Sequence, residues 1–427
     1  MERDKKQIKK QNKKRNFRDV WAPALVSFTD WVLKEALSLN IHKLYFLARD
    51  AKMAYIIACR MTETESLPLS CRYLEGSRYA WRMAEFALPD TDPMEKICMG
   101  GVNVTLRKIL KRGGLDDREA EEVAKRLGKQ AELDHTLSYA ETQRMKPLLT
   151  KCGTFQKRMK AHAKEAYDSA VRYLEQEGVM GQEPFAIVDS GWIGSLQMTL
   201  EHLRASVTGS QSDPIHGFYF GLYELPKGAA LETYHTYYFR PYQDIEKKVR
   251  FNNCLFEAVC SAGEGMTAGY REEDGRMIPV YETVHNPNRE RIIRNERCLE
   301  KLLAKPDTIK SLALPSKEVR RRLERLMSMP DGDDIAEYGG YLFSDDVNDG
   351  SLQPVAAVLN HEEIRRFHVF NRLLLMKGMK KEDFRDSAWP EGSAARAGRY
   401  VGYHLWQIRM YKRLVYIKKK LKNPAKL

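Results

Sequence analysis

The sequence predicts an α/β fold built on a parallel, Rossmann-like sheet, and three stretches carry that expectation. Leu44 to Leu47 form an apolar run too short for a helix and too apolar for an exposed edge; Asp50 follows, and Met53, Ile56, Ile57 and Arg60 then recur at helical spacing. The same order returns at Pro184 to Asp189, a short apolar strand with an acid at its end, followed by a helix with Leu196, Leu200 and Leu203 on one face. A third apolar segment, Gly217 to Tyr223, comes after an Asp213-Pro214 turn. Strands alternating with helices build parallel sheets rather than bundles.

Taken in order, residues 1–18 hold nine Lys or Arg against two acids and almost nothing apolar. Such a composition is disordered unless an anionic surface orders it. Trp21, Leu25, Phe28, Val32 and Ala36, with Pro23 in the first turn, predict an amphipathic helix that leads into the first strand. Beyond the helix after Asp50, residues 68–78 read as a turn, a short strand and a polar loop ending in Ser77-Arg78. Helical patterns broken by Gly100-Gly101 and Gly113-Gly114 predict a helical cap at about 79–180, inserted in an α/β domain spanning 19–285. Within that domain Tyr234 to Phe239 predicts a strand, Asn253 to Ser261 a short helix, and Thr267–Tyr270 with Met277–Tyr281 a hairpin. Residues 286–427 read as mostly helical and end in a basic amphipathic helix at 404–422, where Met410, Leu414, Ile417 and Leu421 form one stripe. Such a helix can lie on an anionic membrane, meet a partner, or dock on its own domain by that stripe.

The net charge of +13 sits at the ends, +7 in residues 1–18 and +8 in residues 409–427, so the body between them sums to −2. A nearly neutral body without a basic, aromatic-interleaved strand argues against nucleic-acid binding. No apolar run approaches the length of a bilayer span, and the basic start has no apolar stretch behind it to act as a signal. The seven cysteines are scattered and never form a C-x-x-C pair, and the histidines show no metal-ligand spacing. That pattern suits reduced thiols in a cytoplasmic protein, held at the inner membrane face if its ends engage lipid.

Asp50 and Asp189 are the leading site residues, because acids at the ends of two parallel strands can face one crevice and share a divalent cation; the bland reading is that each caps its following helix. Ser77 and Arg78 offer a hydroxyl and a guanidinium, or an ordinary surface turn. Arg49 and Lys52 either bind an anion or neutralise Asp50. Gly191 and Gly194 leave a loop whose amides can approach a phosphate or carboxylate. Glu257 and the glycine-rich 263–269 loop have the groups of a ligand contact, though glycines usually serve turn geometry. Trp389 to Ser393 reads as a structural turn whose Trp packs.

Tyr45 to Ala51, then Gly76-Ser77-Arg78, then Ile187 to Gln197, then Phe256-Glu257-Ala258 with the glycine-rich loop and Gly269-Tyr270, resemble hydrolase-like proteins of the haloacid-dehalogenase superfamily encoded among bacterial surface-polysaccharide and glycosyltransferase genes. The likeness covers roughly residues 20–285 and, more faintly, Trp389 to Gly392. It implies a haloacid-dehalogenase-type fold and Mg²⁺-dependent phosphoryl chemistry on a phosphorylated or nucleotide-linked sugar. Asp50, Ser77 and Asp189 would be catalytic, Mg²⁺ would sit on Asp50 and Asp189, and Arg49, Arg78, Gly191, Gly194 and Glu257 would bind substrate. Longer members carry an Asp-x-Asp nucleophile domain before the region matched here. Laying Ala48-Arg49-Asp50-Ala51 on Asp-x-Asp-Gly puts Ala48 at the nucleophile position and Asp50 at the acid/base position; with Asp50 as nucleophile, Lys52 takes the acid/base position. The third motif's basic residue has no match. The resemblance therefore leaves a phosphoesterase-like hydrolase with a degenerate first motif, or a non-hydrolytic module that recruits glycosyltransferases at the membrane face.

Overall fold

A computed structural model describes residues 16–89, 91–100, 104–209, 213–282, 286–343, 352–376 and 387–423. Most of the basic tail lies outside these residues, although Phe17 and Arg18 already belong to the first helix. That helix, α1 (Phe17–Ser38), starts where the Asn16 side chain accepts from the Asp19 amide at 3.1 Å. Its expected stripe, Trp21, Leu25, Phe28, Val32 and Ala36, is buried. β1 (Lys43–Leu47), α2 (Lys52–Glu65) and β2 (Ser70–Leu74) follow, and α3 (Arg78–Glu85) replaces the expected polar loop. The helical insertion comprises α4 (Pro93–Ile97), α5 (Leu106–Arg112), α6 (Asp117–Arg126), α7 (Tyr139–Lys151) and α8 (Gly153–Gln176). It has a core of its own, including Ile97, Leu110, Val123, Leu149 and Phe155.

β3 (Ala186–Trp192), α9 (Ser195–Thr208), β4 (His216–Leu222) and β5 (Tyr234–Phe239) complete a five-stranded sheet of order β2-β1-β3-β4-β5, parallel throughout. Successive strand residues face opposite sides, as the pleat requires. Leu44, Phe46, Val188 and Phe218 join the core with α1 and α2, while Tyr45, Leu47, Ile187 and Tyr219 join the core with α3, α8 and α9. The chain leaves β1 towards β2 on one side and reaches β3 on the other, so the sheet changes direction between β1 and β3. That topological switch opens a crevice at the carboxyl ends of the strands.

α10 (Ile245–Arg250) and α11 (Asn253–Cys260) lead to the antiparallel hairpin β6 (Thr267–Glu273) and β7 (Arg276–Tyr281), which is separate from the main sheet. The rest is α12 (Arg289–Leu303), α13 (Pro306–Leu312), α14 (Ser316–Ser328), α15 (Gly332–Tyr338), the short pair β8 (Leu342–Phe343) and β9 (Gln353–Pro354), α16 (His361–Ile364), α17 (Val369–Met376), α18 (Pro390–Ala397) and α19 (Val401–Leu421). Leu299, Leu323, Leu326 and Trp389 belong to the same core as α1 and the sheet. Trp389 packs as its sequence context suggests, with its indole N–H donating to the Met327 carbonyl at 2.8 Å.

Three histidines join α16, α17 and α19. His404 lies between His361, whose Nδ1 is 2.8 Å from His404 Nε2, and His368, whose Nε2 is 2.8 Å from His404 Nδ1. A neutral chain of imidazoles can point every N–H at an acceptor, whereas an added proton sets two N–H groups against each other. Burial, with the neighbouring His404, Arg365 and His361 charges, pushes His368 down to about 4, and burial with His361 and Arg365 lowers His404. Unfolded histidines take protons near pH 6.5, so this stability is full above that value and is lost as pH falls towards 4. Thermal unfolding followed from pH 7 to pH 5 should show that decline, and a His368→Gln/His404→Gln variant should lose roughly 1–2 kcal/mol less across the window.

Candidate functional site

Neither aspartate caps the helix that follows it. α2 begins after Ala51 and α9 after Gly194, both without a side-chain cap. Asp50 instead lies in the turn beyond β1, where its Oδ2 accepts from the Ser190 hydroxyl at 2.9 Å. Asp189 stands inside β3, opposite Tyr219, because the strand runs further than its apolar run suggests and continues through Gly191 and Trp192 beside Gly221 and Leu222. Gly191 is therefore strand rather than loop. Its φ of 105° and the Gly221 carbonyl 2.6 Å from where a Cβ would stand explain the glycine without any ligand. Gly194, at φ 71°, turns the chain into α9.

Glu257, on α11, comes to the same crevice and accepts from the Trp192 indole N–H at 2.5 Å. Asp189 and Glu257 are half-buried and closely surrounded by protein, so their hydration is poor. Burial first, then the Asp50 charge, pushes Asp189 up to about 7, against the pull of Arg78 and the Ser190 and Gly191 amides. Burial and Asp50 likewise push Glu257 up to about 8, Arg78 and the Trp192 N–H opposing and Asp189 adding. Desolvation outweighs the guanidinium in both cases. The result is a set of coupled acids in which two retain protons near neutrality.

A basic segment lies beside these acids. Arg78, the exposed first residue of α3, bears on both Asp189 and Glu257. One turn later Arg82 donates to the Ser195 hydroxyl, 3.3 Å away at the first residue of α9, and burial with the Arg78 charge brings its guanidinium down to about 10. Two arginines thus stand beside a helix N-terminus, whose free amides and dipole favour an anion.

Other expected residues have different employment. The Ser77 oxygen accepts from the Ala80 amide at 3.0 Å, capping α3, and its hydroxyl donates to the Thr267 carbonyl at 2.6 Å. Its proton is committed to the hairpin, so the expected catalytic hydroxyl is a structural cap. The Arg49 charge bears on Glu282, just past β7. Lys52 pairs with Glu264 at 3.6 Å and lies 4.2 Å from the Tyr73 ring centroid, while Tyr73 also donates to Glu264 at 3.0 Å. Lys52 thus makes an ion pair with Glu264 rather than the expected one with Asp50, and it anchors the 263–269 loop. All seven cysteines are free. Among the described residues no group of three or more His, Cys, Asp or Glu is arranged to hold a metal ion.

Sequence reasoning did not single out Ser190, Trp192 or Arg82. Arg82 had a signal, since Ser77 read as an N-cap places Arg78 and Arg82 one turn apart on a helix. The other two depend on contacts between distant segments. No protein-family model matches the chain, and no curated protein is significantly similar to it in sequence.

A carboxyl whose folded-state value is raised stabilises the fold at low pH and withdraws that stability as pH rises through the raised value. Glu257→Gln keeps an oxygen for the Trp192 N–H but cannot ionise. Between pH 6 and pH 9 the wild-type protein should lose roughly 1–2 kcal/mol more stability than this variant, measured by denaturant unfolding.

Proposed function

We propose that this chain is a haloacid-dehalogenase-like protein of bacterial surface-polysaccharide synthesis that binds the phosphoryl group of a phosphorylated or nucleotide-linked sugar in the switch-point crevice. The observation that carries this reading is the meeting of acids and a basic group: Asp50, Asp189 and Glu257 share one electrostatic environment and Arg78 bears on it, with Arg82 one turn further along α3 at the α9 N-terminus. Planar guanidiniums and helix amides suit a phosphate, and acids beside them suit a counter-cation or a proton transfer.

Asp50 and Asp189 fit Mg²⁺ by chemistry, being hard oxygen donors with excess negative charge. Mg²⁺ commonly takes only one or two carboxylates and completes its shell with water and phosphate oxygens, so a full protein cage is not required. When bound, the ion would offset phosphate charge and polarise the phosphoryl group. The chain's own groups orient and move protons: Arg78 and Arg82 hold the anion, Asp189 can exchange a proton at ordinary pH, and Glu257, fixed by Trp192, holds one.

Ala48 has no group that can attack phosphorus, and Ser77 is occupied, so an aspartyl-phosphate route on the Ala48 alignment has no support. Any turnover would use Asp50 directly or through water. The same two residues favour a second reading, a non-hydrolytic module that binds the sugar phosphate and recruits glycosyltransferases.

Calorimetry with inorganic phosphate, a sugar 1-phosphate and a nucleotide-sugar, each with and without MgCl₂, tests the proposal. Binding should be stronger with Mg²⁺ and should release protons between pH 6 and pH 8, because the ion displaces those held by Asp189 and Glu257. Asp50→Asn and Asp189→Asn should each weaken the Mg²⁺-dependent component about tenfold or more, and Arg78→Ala should weaken anion binding with or without Mg²⁺. Ligand binding indifferent to all three substitutions would place the site elsewhere.

A further inference from the structure

The terminal helix is turned the opposite way from docking by its stripe. It meets the body through buried His404, Leu405 and Ile408, through Tyr416 stacked on Tyr223 at 5.5 Å, and through ion pairs of Lys412 with Glu391, Arg413 with Glu246 and Lys419 with Glu224. Tyr403, Trp406, Met410, Leu414, Ile417 and Leu421 are spaced by three, four, four, three and four residues, so at about 100° per residue they line the side away from the body. All but the half-buried Met410 are exposed, Trp406 at 54% and Leu421 at 75%. Phe370, two residues after His368, whose ring meets that of Tyr403 edge-on at 5.1 Å, is 72% exposed.

Lysines border the stripe on both sides, Lys418 and Lys422 on one flank and Lys420 on the other, while Arg409 and Arg413 are turned to the body, the first donating to the Ser328 carbonyl and the second paired with Glu246. α19 contains no acidic residue. Lys418, Lys420 and Lys422 have no acidic partner among the described residues. Lys420 also lines, with Arg240, Lys247 and Arg320, a surface cavity whose acids are Asp244 and Glu246. Both acids are already paired, Asp244 with Arg240 and Lys247 and Glu246 with Arg413.

We propose that this face is a docking surface for an anionic lipid bilayer, on which α19 lies in the membrane plane. The apolar stripe enters the headgroup boundary, Tyr403 and Trp406 sit at the interface their amphipathic rings prefer, and the flanking cations reach lipid phosphates along their apolar stems. No helix among the described residues is long and apolar enough to cross a membrane, so the contact is superficial. A second copy fits poorly although the spacing resembles a coiled-coil seam, because two such helices would set cations against cations along both edges.

Co-sedimentation of the full chain with phosphatidylcholine vesicles, with and without phosphatidylglycerol, tests this, alongside light scattering for oligomeric state. Binding should require the anionic lipid, weaken with salt, and shift the tryptophan emission to the blue in the wild-type protein but much less in Trp406→Phe. Leu414→Glu/Ile417→Glu should abolish binding, and Lys418→Glu/Lys422→Glu should weaken it about tenfold or more. These side chains are exposed, so the unfolding temperature should hold; if one pair perturbs the fold, the other decides. The proposal is overturned by equal binding to neutral vesicles, by absent binding, by binding that survives both pairs of substitutions, or by a stripe-dependent dimer that ignores lipid.

Discussion

The crevice depends on β1 and β3 lying side by side while the chain approaches them from opposite directions along the sheet. Their register, with Leu44 beside Ala186 and Phe46 beside Val188, is set by two apolar faces that both need burial. A slip of one residue would exchange those faces, turning Phe46 towards α8 and Tyr45 towards α1. With the register held, the turn after β1 and the end of β3 meet at one edge, and Ser190 reaches Asp50. The hairpin meets the same region through the Ser77–Thr267 bond, while the C-terminal helices share the core of α1 and one sheet face.

At the edge two electrostatic effects compete. Arg78 and the local amides favour ionised carboxyls, but loss of hydration and the negative Asp50 work against them and win for Asp189 and Glu257. The negative charge is therefore withheld by protonation rather than cancelled by a cation, and an arriving cation or phosphate-bound metal would change the protonation of the site. Structural ion pairs nearby are arranged differently. Lys52 is held by Glu264 against Tyr73, and Ser77 is consumed by a helix cap, so neither competes for a ligand. The same short segment, residues 77–82, thus supplies a structural serine, an arginine that bears on the crevice acids and a second that meets the start of α9.

Opposing requirements also shape the terminal helix. Its basic residues are not uniformly solvated: Lys412, Arg413 and Lys419 join it to the body, while Lys418, Lys420 and Lys422 point elsewhere. Docking by histidine, tyrosine and ion pairs leaves the aliphatic and aromatic stripe outside, the reverse of the usual amphipathic arrangement. An apolar stripe bordered by cations has its complement in a surface that is itself apolar inside and anionic outside.

The sequence by itself determined the alternation of strands and helices, the burial of α1, the two strands that carry Asp50 and Asp189, and the hairpin near residue 270. These follow from local periodicity and from apolar runs whose burial is required wherever they are placed. It also placed Asp50 and Asp189 at strand ends and Arg78 in the turn after the second strand, where a crevice forms in an open sheet, and marked Glu257 as a ligand contact. Tertiary structure alone decided that Ser77 is a cap and Gly191 part of a strand. It also decided that Arg82 meets Ser195 at the start of α9, and which face of α19 is covered. Each of those outcomes depends on a partner distant in the sequence, or on the choice between two faces that local periodicity leaves equivalent. Hydrogen-bond satisfaction and desolvation act between segments that only the folded chain brings together.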